Sequence, residues 1–399
     1  MTRAIDSRWH IVTGEYPPQR GGVSDYSRLV ARELIKAGLE VHVWAPACGV
    51  AGDSDPGVSV HRLPGHFGPR ALRALDRGVS SGGHLLVQYV PHAFGWKAMN
   101  LPFCLWLLSR RRNGVTVMFH ETAFPLSRRQ SIRHNTLGAV TRVMAMLVAR
   151  AAERIIVSTP GWERLLRPII PRTRRIEWSP VPSNVPVVDD PGGVAETRAR
   201  YQAPGGLILG HFGAYQRLIV DPLAELLSAI LDGRGPSRSA PVCALLMGEN
   251  SEVFRTRLLR ANPHLADRIH ATGMLAAPQL SLHLAVCDVM VQPYPDGATT
   301  RRGSLMAALA HGIPVVTTAG FLTEPLWQNS DAILMAPVGD TAALRRLTER
   351  LLADERERIR QGRAAKELYA RRFDVSHTIE LLLGTISTRQ RHQLAIGAA

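Results

Sequence analysis

Short apolar runs alternate with amphipathic stretches along most of this chain. His10-Ile-Val-Thr13 reads as a strand, and Tyr26 to Ala37 reads as a helix in which Leu29, Val30, Glu33 and Leu34 give a 3.6-residue period. Gly38 stops that helix, and Glu40 to Ala45 reads as the next strand. A strand, a helix and a strand in that order make one right-handed parallel unit. Further strands are predicted at Leu85 to Val90, Val115 to Phe119 and Arg154 to Ser158, separated by helical or loop sequence.

Between Ser179 and Gly206 the text turns rich in Pro, Gly and Asp, which predicts a linker with a short helix near Ala195 to Tyr201. The alternation then resumes. Strands are expected at Leu207 to Phe212, Val242 to Met247 ending at Gly248, and Ile269 to Thr272 ending at Gly273, with helices at Pro222 to Leu231 and Leu280 to Ala285. Val289 to Val291 and Ile313 to Thr318 are two more strands, and Leu305, Leu309 and Gly312 recur between them at helical spacing. After a loop with Gly320 and Glu324 come a helix at Thr341 to Ala353 and a charged helical tail from Glu355 onward. Two doubly wound α/β domains follow from this order. The expected division is an N-terminal domain over 1–186, a linker over 187–206, a C-terminal domain over 207–372, and a tail over 373–399 that packs back on the first domain.

At 399 residues, two cores are the default. The start of the chain carries Arg3, Asp6 and Arg8 before a short strand, unlike a signal peptide, and the apolar tract Leu137 to Ala152 is broken by Arg142 and Arg150. A cytoplasmic protein is the simplest expectation. Cys48, Cys104, Cys243 and Cys287 form no CxxC pair and read as reduced core residues. Charge separates the halves: up to Pro186 there are 25 Lys or Arg against 12 Asp or Glu, and beyond it 23 against 21. A basic first half suits an anionic membrane surface or a phosphorylated small molecule, and no helix-turn-helix, zinc spacing or aromatic-interleaved basic stretch points to nucleic acid. For a membrane, Leu101 to Leu108 is apolar, with Arg110 to Arg112 directly after it and Arg128, Arg129 and Arg133 further on. A buried helix with a solvated end predicts the same pattern, so peripheral contact at the inner face of a membrane stays open.

The candidate chemistry lies at strand ends. Gly21 and Gly22, just before the first helix, let backbone amides approach a ligand closely. His120 follows the strand Val115 to Phe119 directly, with Glu121 beside it, and should reach the same crevice. A histidine so placed is as often a hydrogen-bonded structural residue. In the C-terminal half, Asp296-Gly-Ala-Thr-Thr-Arg-Arg-Gly303 precedes a helix start, a layout that binds anions. Thr299 and Thr300 can cap that helix, and Arg301 and Arg302 add cationic donors. Taken alone, the segment also fits an ordinary helix start with two solvated arginines. Neither GxGxxG nor a Walker loop occurs, against dinucleotide oxidoreductases and ATPases. Asp53-Ser-Asp55 has the form of a metal-binding DxD but sits in a Gly- and Pro-flanked segment that reads as a solvated turn.

Four places together resemble the retaining GT-B glycosyltransferases of family 4, over nearly the whole chain. They are Tyr16-Pro-Pro with Gly21-Gly22-Val23; His120; Ser183-Asn184-Val185; and, in order, Gly273, Asp288, Pro293, Gly312-Ile-Pro-Val-Val316, Gly320, Glu324 and Gly339-Asp340. The resemblance implies two Rossmann-like domains facing across a cleft, the first holding the acceptor and the second a nucleotide sugar. It also implies transfer with retention, without metal or cofactor, the nucleotide sugar being a co-substrate. The first loop is then near the donor phosphates and His120 near the transferred sugar. The acceptor stays open among sugars, lipid-linked saccharides and small molecules.

The chain departs from the family pattern at its two glutamates, whose positions carry Thr299 and Ala307. The family's Arg and Lys fall near Ala214 and Ile219, with Arg217 close but out of register. A departing nucleoside diphosphate gains charge, so cations and helix amides act on the transition state. Arg301, Arg302 and Arg217 can supply that from new positions, and Asp296 can accept hydrogen bonds from sugar or ribose. The expected site is therefore His120, Arg301 and Arg302 as catalytic residues; Gly21, Gly22, Arg217, Gly248, Asp296, Thr299, Thr300, Gly303 and Glu324 on the donor; and Tyr16 and Glu121 on the acceptor. The rival readings are a non-catalytic paralogue that binds nucleotide or a protein partner, and a sugar-nucleotide epimerase on the same architecture.

Overall fold

The computed structural model describes residues 8–49, 55–80, 82–111, 114–202, 205–233 and 240–384. The chain divides into two compact units: one runs to Val181 and takes up the chain again from Val375, and the other runs from Pro182 to Asp374. The passage at Val181 and Pro182 comes ahead of the Pro186 boundary expected from the sequence.

In the first unit the order is β1 (Arg8–Thr13), α1 (Gly22–Lys36), β2 (Glu40–Pro46), β3 (Val58–Leu63), α2 (Pro69–Val79), β4 (His84–Tyr89), α3 (Leu101–Ser109), β5 (Val115–Phe119), α4 (Ile132–Ala151), β6 (Arg154–Val157), α5 (Glu163–Leu166) and β7 (Ile176–Trp178). All seven strands are parallel, in the order β3-β2-β1-β4-β5-β6-β7. The chain reverses direction across the sheet between β1 and β4, where Ile11 lies beside Leu86. Such a switch point opens a crevice at the carboxyl ends of the strands. Apolar residues of the central strands face both ways. Val12, Val87, Val117 and Val157 join a core with Phe67, Phe103 and Met144, while Ile11, Leu86, Met118 and Ile156 join one with Tyr26, Val30 and Leu34. Edge strand β3 and three-residue β7 are additions to the sequence reading.

In the second unit the order is α6 (Pro191–Ala199), β8 (Leu207–Phe212), α7 (Arg217–Leu231), β9 (Val242–Met247), α8 (Ser251–Ala261), β10 (Ile269–Ala271), α9 (Ala277–Ala285), β11 (Val289–Gln292), α10 (Gly303–Ala310), β12 (Val315–Ala319), α11 (Pro325–Gln328), β13 (Ile333–Pro337), α12 (Thr341–Ala353) and α13 (Glu355–Arg372). Its six parallel strands run β10-β9-β8-β11-β12-β13, with the reversal between β8 and β11. The segment expected as linker contains α6, which starts at Pro191 because the Asp190 carboxylate accepts the Gly193 amide at 2.9 Å. Helix α7 begins at Arg217 and takes Pro222 inside it, so proline does not mark its start.

The last described helix, α14 (Val375–Leu383), belongs to the first unit. Leu381 and Leu382 enter the core with Trp9, Tyr26 and Val30, and the Arg154 guanidinium donates to the carbonyls of Leu381 at 2.6 Å and Leu382 at 2.9 Å. Residues 385–399 of the expected tail lie outside the described residues. Cys104, Cys243 and Cys287 are buried free thiols, and Cys48 is half-buried. No helix among the described residues is long and apolar enough to cross a membrane.

Candidate active site

In the first unit the switch point is walled by β1, β4 and β5. His120 directly follows β5, and its amide donates to the Tyr89 carbonyl at 3.0 Å, which carries the ladder one step beyond the strand. The ring is 7% exposed, with Nε2 2.7 Å from Gln88 Oε1 and the edge of Tyr26 against it at 4.9 Å. A carbonyl oxygen only accepts, so Nε2 carries the proton and Nδ1 keeps its lone pair. Burial pushes the imidazole down to about 3, so it is neutral at physiological pH. Beside it, Glu121 is half-exposed, 3.6 Å from His92 Nδ1.

The start of α1 is already occupied by an anion. Glu15 Oε1 accepts the amides of Val23 at 3.1 Å and Ser24 at 3.0 Å, and any side chain at Gly21 would collide with that carboxylate. Gly21 therefore makes room for Glu15, while Gly22 faces open space. Glu15 thus takes the amides of Val23 and Ser24, one and two residues past the glycine pair expected to approach the donor, and it shares their place in the helix dipole. The expectation for Tyr16 is corrected. Its ring is buried, and its hydroxyl donates to Asp55 Oδ2 at 2.8 Å, so it presents nothing to an acceptor. Asp55 is no solvated turn residue, since Arg28 Nε at 2.6 Å and Arg32 at 2.7 Å also hold its buried carboxylate. Burial pushes Asp55 up, but the bonds from Arg28, Tyr16 and Arg32 outweigh it and leave its pKa below the usual range. Asp53 lies outside the described residues.

In the second unit the strand ends converge on glycines. Gly248 has φ +108°, and a Cβ there would lie 2.6 Å from the Gly213 carbonyl oxygen, so β8 and β9 close together only with glycine at that point. Gly213 faces Ser304 in the first turn of α10, and Ser304 Oγ lies 2.8 Å from the Tyr294 hydroxyl. Beneath them, His211 Nδ1 donates to the Val291 carbonyl at 2.7 Å, and Gln292 Nε2 donates to that of Phe212 at 2.9 Å. Burial, only partly offset by the Val291 bond, takes the His211 imidazole down to about 4.

Arg301 and Arg302 converge just before α10. Arg301 reaches Asp296 Oδ2 at 2.6 Å, Arg302 bonds Asp296 Oδ1, and the Arg302 guanidinium lies over the Tyr294 ring at 4.7 Å. The two cations lie beside the helix start, where Gly303 and Ser304 turn their amides outward from the first turn. Asp296 is thus an orienter of the pair rather than a free acceptor.

Three donor-side expectations are corrected. Thr299 and Thr300 are fully buried and do not cap α10, whose N-cap is Arg302 without a side-chain cap. Glu324 is buried and accepts the Thr300 amide at 2.9 Å, the Thr300 hydroxyl at 2.7 Å and Trp327 Nε1 at 2.7 Å, so it ties loop to loop. Arg217 has a side chain 90% exposed, 3.8 Å from Asp221 one turn along α7, and does not join the arginine pair. Glu15, Gln88 and Ser304 were missed by sequence reading. Only Ser304, directly after Arg301-Arg302-Gly303, carried a signal, as a hydroxyl in the first turn of an expected helix.

Two family models match this arrangement, one described as glycosyl transferase 4-like domain over residues 21–181 and one as glycosyl transferases group 1 over residues 207–354. The chain belongs to the family 4 glycosyltransferases. Among curated relatives, the 2-deoxystreptamine glucosyltransferase of Streptomyces kanamyceticus is 28% identical over 207 residues, 48% of this chain and 49% of that protein. The match therefore spans about half the length of that relative. Two solved structures share the GT-B fold of this transferase. A sucrose-phosphate synthase from Thermosynechococcus elongatus superposes with a TM-score of 0.69 at 18% identity, covering 98% of this chain and 100% of that one. The Anabaena protein HepE, in complex with UDP and glucose, gives a TM-score of 0.66 at 16% identity, covering 95% and 99%.

A pH dependence of the fold follows from two of the buried histidines of this glycosyltransferase, His120 and His211. Unfolded, each takes a proton near 6.5; folded, His120 refuses it until about 3 and His211 until about 4. The unfolded state binds more protons between those values, so stability is complete above 6.5 and is lost as pH falls. Each histidine should cost about 2 kcal/mol of stability by pH 5. Denaturant midpoints measured from pH 7 to pH 5 should fall, and less steeply in His211→Asn. An unchanged slope in that variant would show that His211 ionises within the fold.

Proposed function

We propose that the protein transfers a sugar from a nucleoside diphosphate sugar to an acceptor hydroxyl with retention of anomeric configuration, the second unit binding the donor and the first serving the acceptor. The observation that carries this is the pair Arg301 and Arg302, held by Asp296 at the outward amides of α10, next to Gly213 at the β8/β11 switch point. That is a diphosphate site in chemistry: oriented guanidiniums and helix amides meet an oxyanion without reorganising. UDP in the HepE complex and the glucosyl donor implied by the Streptomyces relative's name support a UDP-sugar, UDP-glucose first. The same relative's name supports a small polyhydroxy acceptor.

In this reading the acceptor oxygen bonds the anomeric carbon on the face from which the diphosphate departs. The bond from that carbon to the phosphate oxygen breaks, and the departing phosphate takes the acceptor's proton. Arg301, Arg302 and the α10 amides stabilise the charge that grows on the diphosphate. Neutral His120 can bond a sugar hydroxyl but cannot act as a cation at pH 7. No step requires a metal ion or a further cofactor, and none requires a carboxylate at Thr299 or Ala307.

The test is UDP release from UDP-glucose, with and without a panel of polyol acceptors, alongside calorimetric binding of UDP. Acceptor-dependent release is the expected result. Nucleotide binding without turnover would favour the non-catalytic reading, and conversion of the sugar nucleotide alone would favour the epimerase. His120→Ala should lower turnover at least about tenfold while leaving UDP affinity within about twofold. Equal turnover in that variant would remove His120 from the site.

A further inference from the structure

His120 is held on all sides but one. Its amide donates to the Tyr89 carbonyl at 3.0 Å, and its carbonyl accepts Trp162 Nε1 at 2.8 Å and Ser158 Oγ at 3.3 Å. The Tyr26 ring packs edge-on against the imidazole, with centroids 4.9 Å apart, and Nε2 meets Gln88 Oε1 at 2.7 Å. Among the described residues Nδ1 has no partner. With backbone and ring both fixed, the one freedom left is which nitrogen carries the proton.

Gln88 breaks the apolar run Leu85-Leu-Val-Gln-Tyr89 of central strand β4, where sheets covered on both faces ask for hydrocarbon. It is fully buried, and its Nε2 has no acceptor among the described residues. Its neighbours across the sheet are Thr13 on β1 and Met118 on β5, and both are engaged. Thr13 Oγ1 donates to the Glu15 carbonyl at 2.8 Å, and Met118 Sδ accepts the Tyr26 hydroxyl at 2.9 Å. Gln292, equally buried at the end of central strand β11, makes the contrast: its Nε2 donates to the Phe212 carbonyl at 2.9 Å and ties strand to strand, and its oxygen is the atom left over. Gln88 ties nothing to the backbone, and its side chain bonds only the imidazole of His120. Leucine or methionine at this position would avoid a buried amine without a partner, so the hold on His120 is what the polar side chain contributes.

We propose that Gln88 is a positioning residue, which fixes the proton of His120 on Nε2 and so presents Nδ1 as a lone pair to a hydroxyl of the substrate. A carboxamide oxygen only accepts, and a neutral imidazole that donates from one nitrogen must accept at the other. His120 then takes a hydrogen bond from a sugar or acceptor hydroxyl and turns away a group that can only accept. The ligand rests on the transferase reading given above, whereas the state of the imidazole does not. Gln88 thus supports from behind a side chain that faces the ligand.

The experiment is nitrogen NMR of the full chain carrying isotope-labelled histidine, with His120 assigned by its loss in His120→Ala, alongside turnover of Gln88→Leu. The unaltered protein should show an unprotonated Nδ1 far downfield of a protonated Nε2. In Gln88→Leu nothing holds that proton, and the form protonated at Nδ1 should appear. Turnover should fall at least about fivefold, with UDP affinity within about twofold. In a His120→Ala background the same change should cost less than about twofold, because Gln88 acts only through the imidazole. Gln88→Met, closer in shape, gives the same readings if Gln88→Leu does not fold. A protonated Nδ1 in the unaltered protein, a spectrum that Gln88→Leu leaves unchanged, or an additive loss in the double variant would overturn the proposal. Absence of turnover in the unaltered protein would instead fault the transferase reading, and the spectra would still decide whether Gln88 sets the proton of His120.

Discussion

Replacing Arg301 and Arg302 together by alanine is expected to weaken UDP binding at least about 100-fold, because charge-assisted contacts to phosphate contribute about 1.5–3 kcal/mol each. The loss should exceed the sum of the two contacts. With both guanidiniums gone, Asp296, which now balances them through bonds to both residues, would remain as an unpaired anion near the bound diphosphate. Adding Asp296→Asn to the double variant should therefore recover part of the affinity, which a merely structural role for the arginines would not predict. Calorimetric titration with UDP measures this directly. Affinity within about threefold of the original in the double variant would remove the pair from the donor site.

Glu324→Ala is expected to act on stability. Its carboxylate takes three donors, the Thr300 amide, the Thr300 hydroxyl and Trp327 Nε1, all buried. Truncation leaves them unpaired at about 1–3 kcal/mol apiece, so a loss of about 3–5 kcal/mol is expected after partial relaxation. For a chain of this size that lowers the melting temperature by roughly 10 °C. Glu324→Gln should cost less, since it keeps one acceptor. A melting temperature unchanged in Glu324→Ala, together with weakened UDP binding, would instead make Glu324 a ligand residue.

The two doubly wound parallel sheets were legible because buried strands such as Val115–Phe119 and Val242–Met247 are continuous apolar runs, as sheets covered on both faces require. Strand β3 escaped because Val58-Ser-Val-His-Arg-Leu63 lies at an edge and carries polar residues at alternate positions. Helix α7 was placed too late because Pro222 imitates a first-turn proline while lying inside the helix. In the site, positions that depend on the backbone were readable: a residue at a strand end or a glycine before a helix announces itself locally. Partners were not. Whether Tyr16 faces a ligand depends on Asp55, 39 residues away, and whether Glu324 is available depends on Thr300, 24 residues away. Hydrogen-bond closure between distant loops leaves no periodic trace.

The return of α14 bears on how the protein folds as it is made. Leu381 and Leu382 complete a core otherwise built from Trp9, Ile11, Tyr26 and Val30, each such side chain contributing roughly 1.5–3 kcal/mol when buried. A ribosome that has released only the first 181 residues has therefore exposed every strand of the leading sheet, but not the helix that seals one face of it. Translation has to pass Leu382 before that face is dry, so a polypeptide stalled or clipped ahead of it carries its own mark for chaperones and proteases.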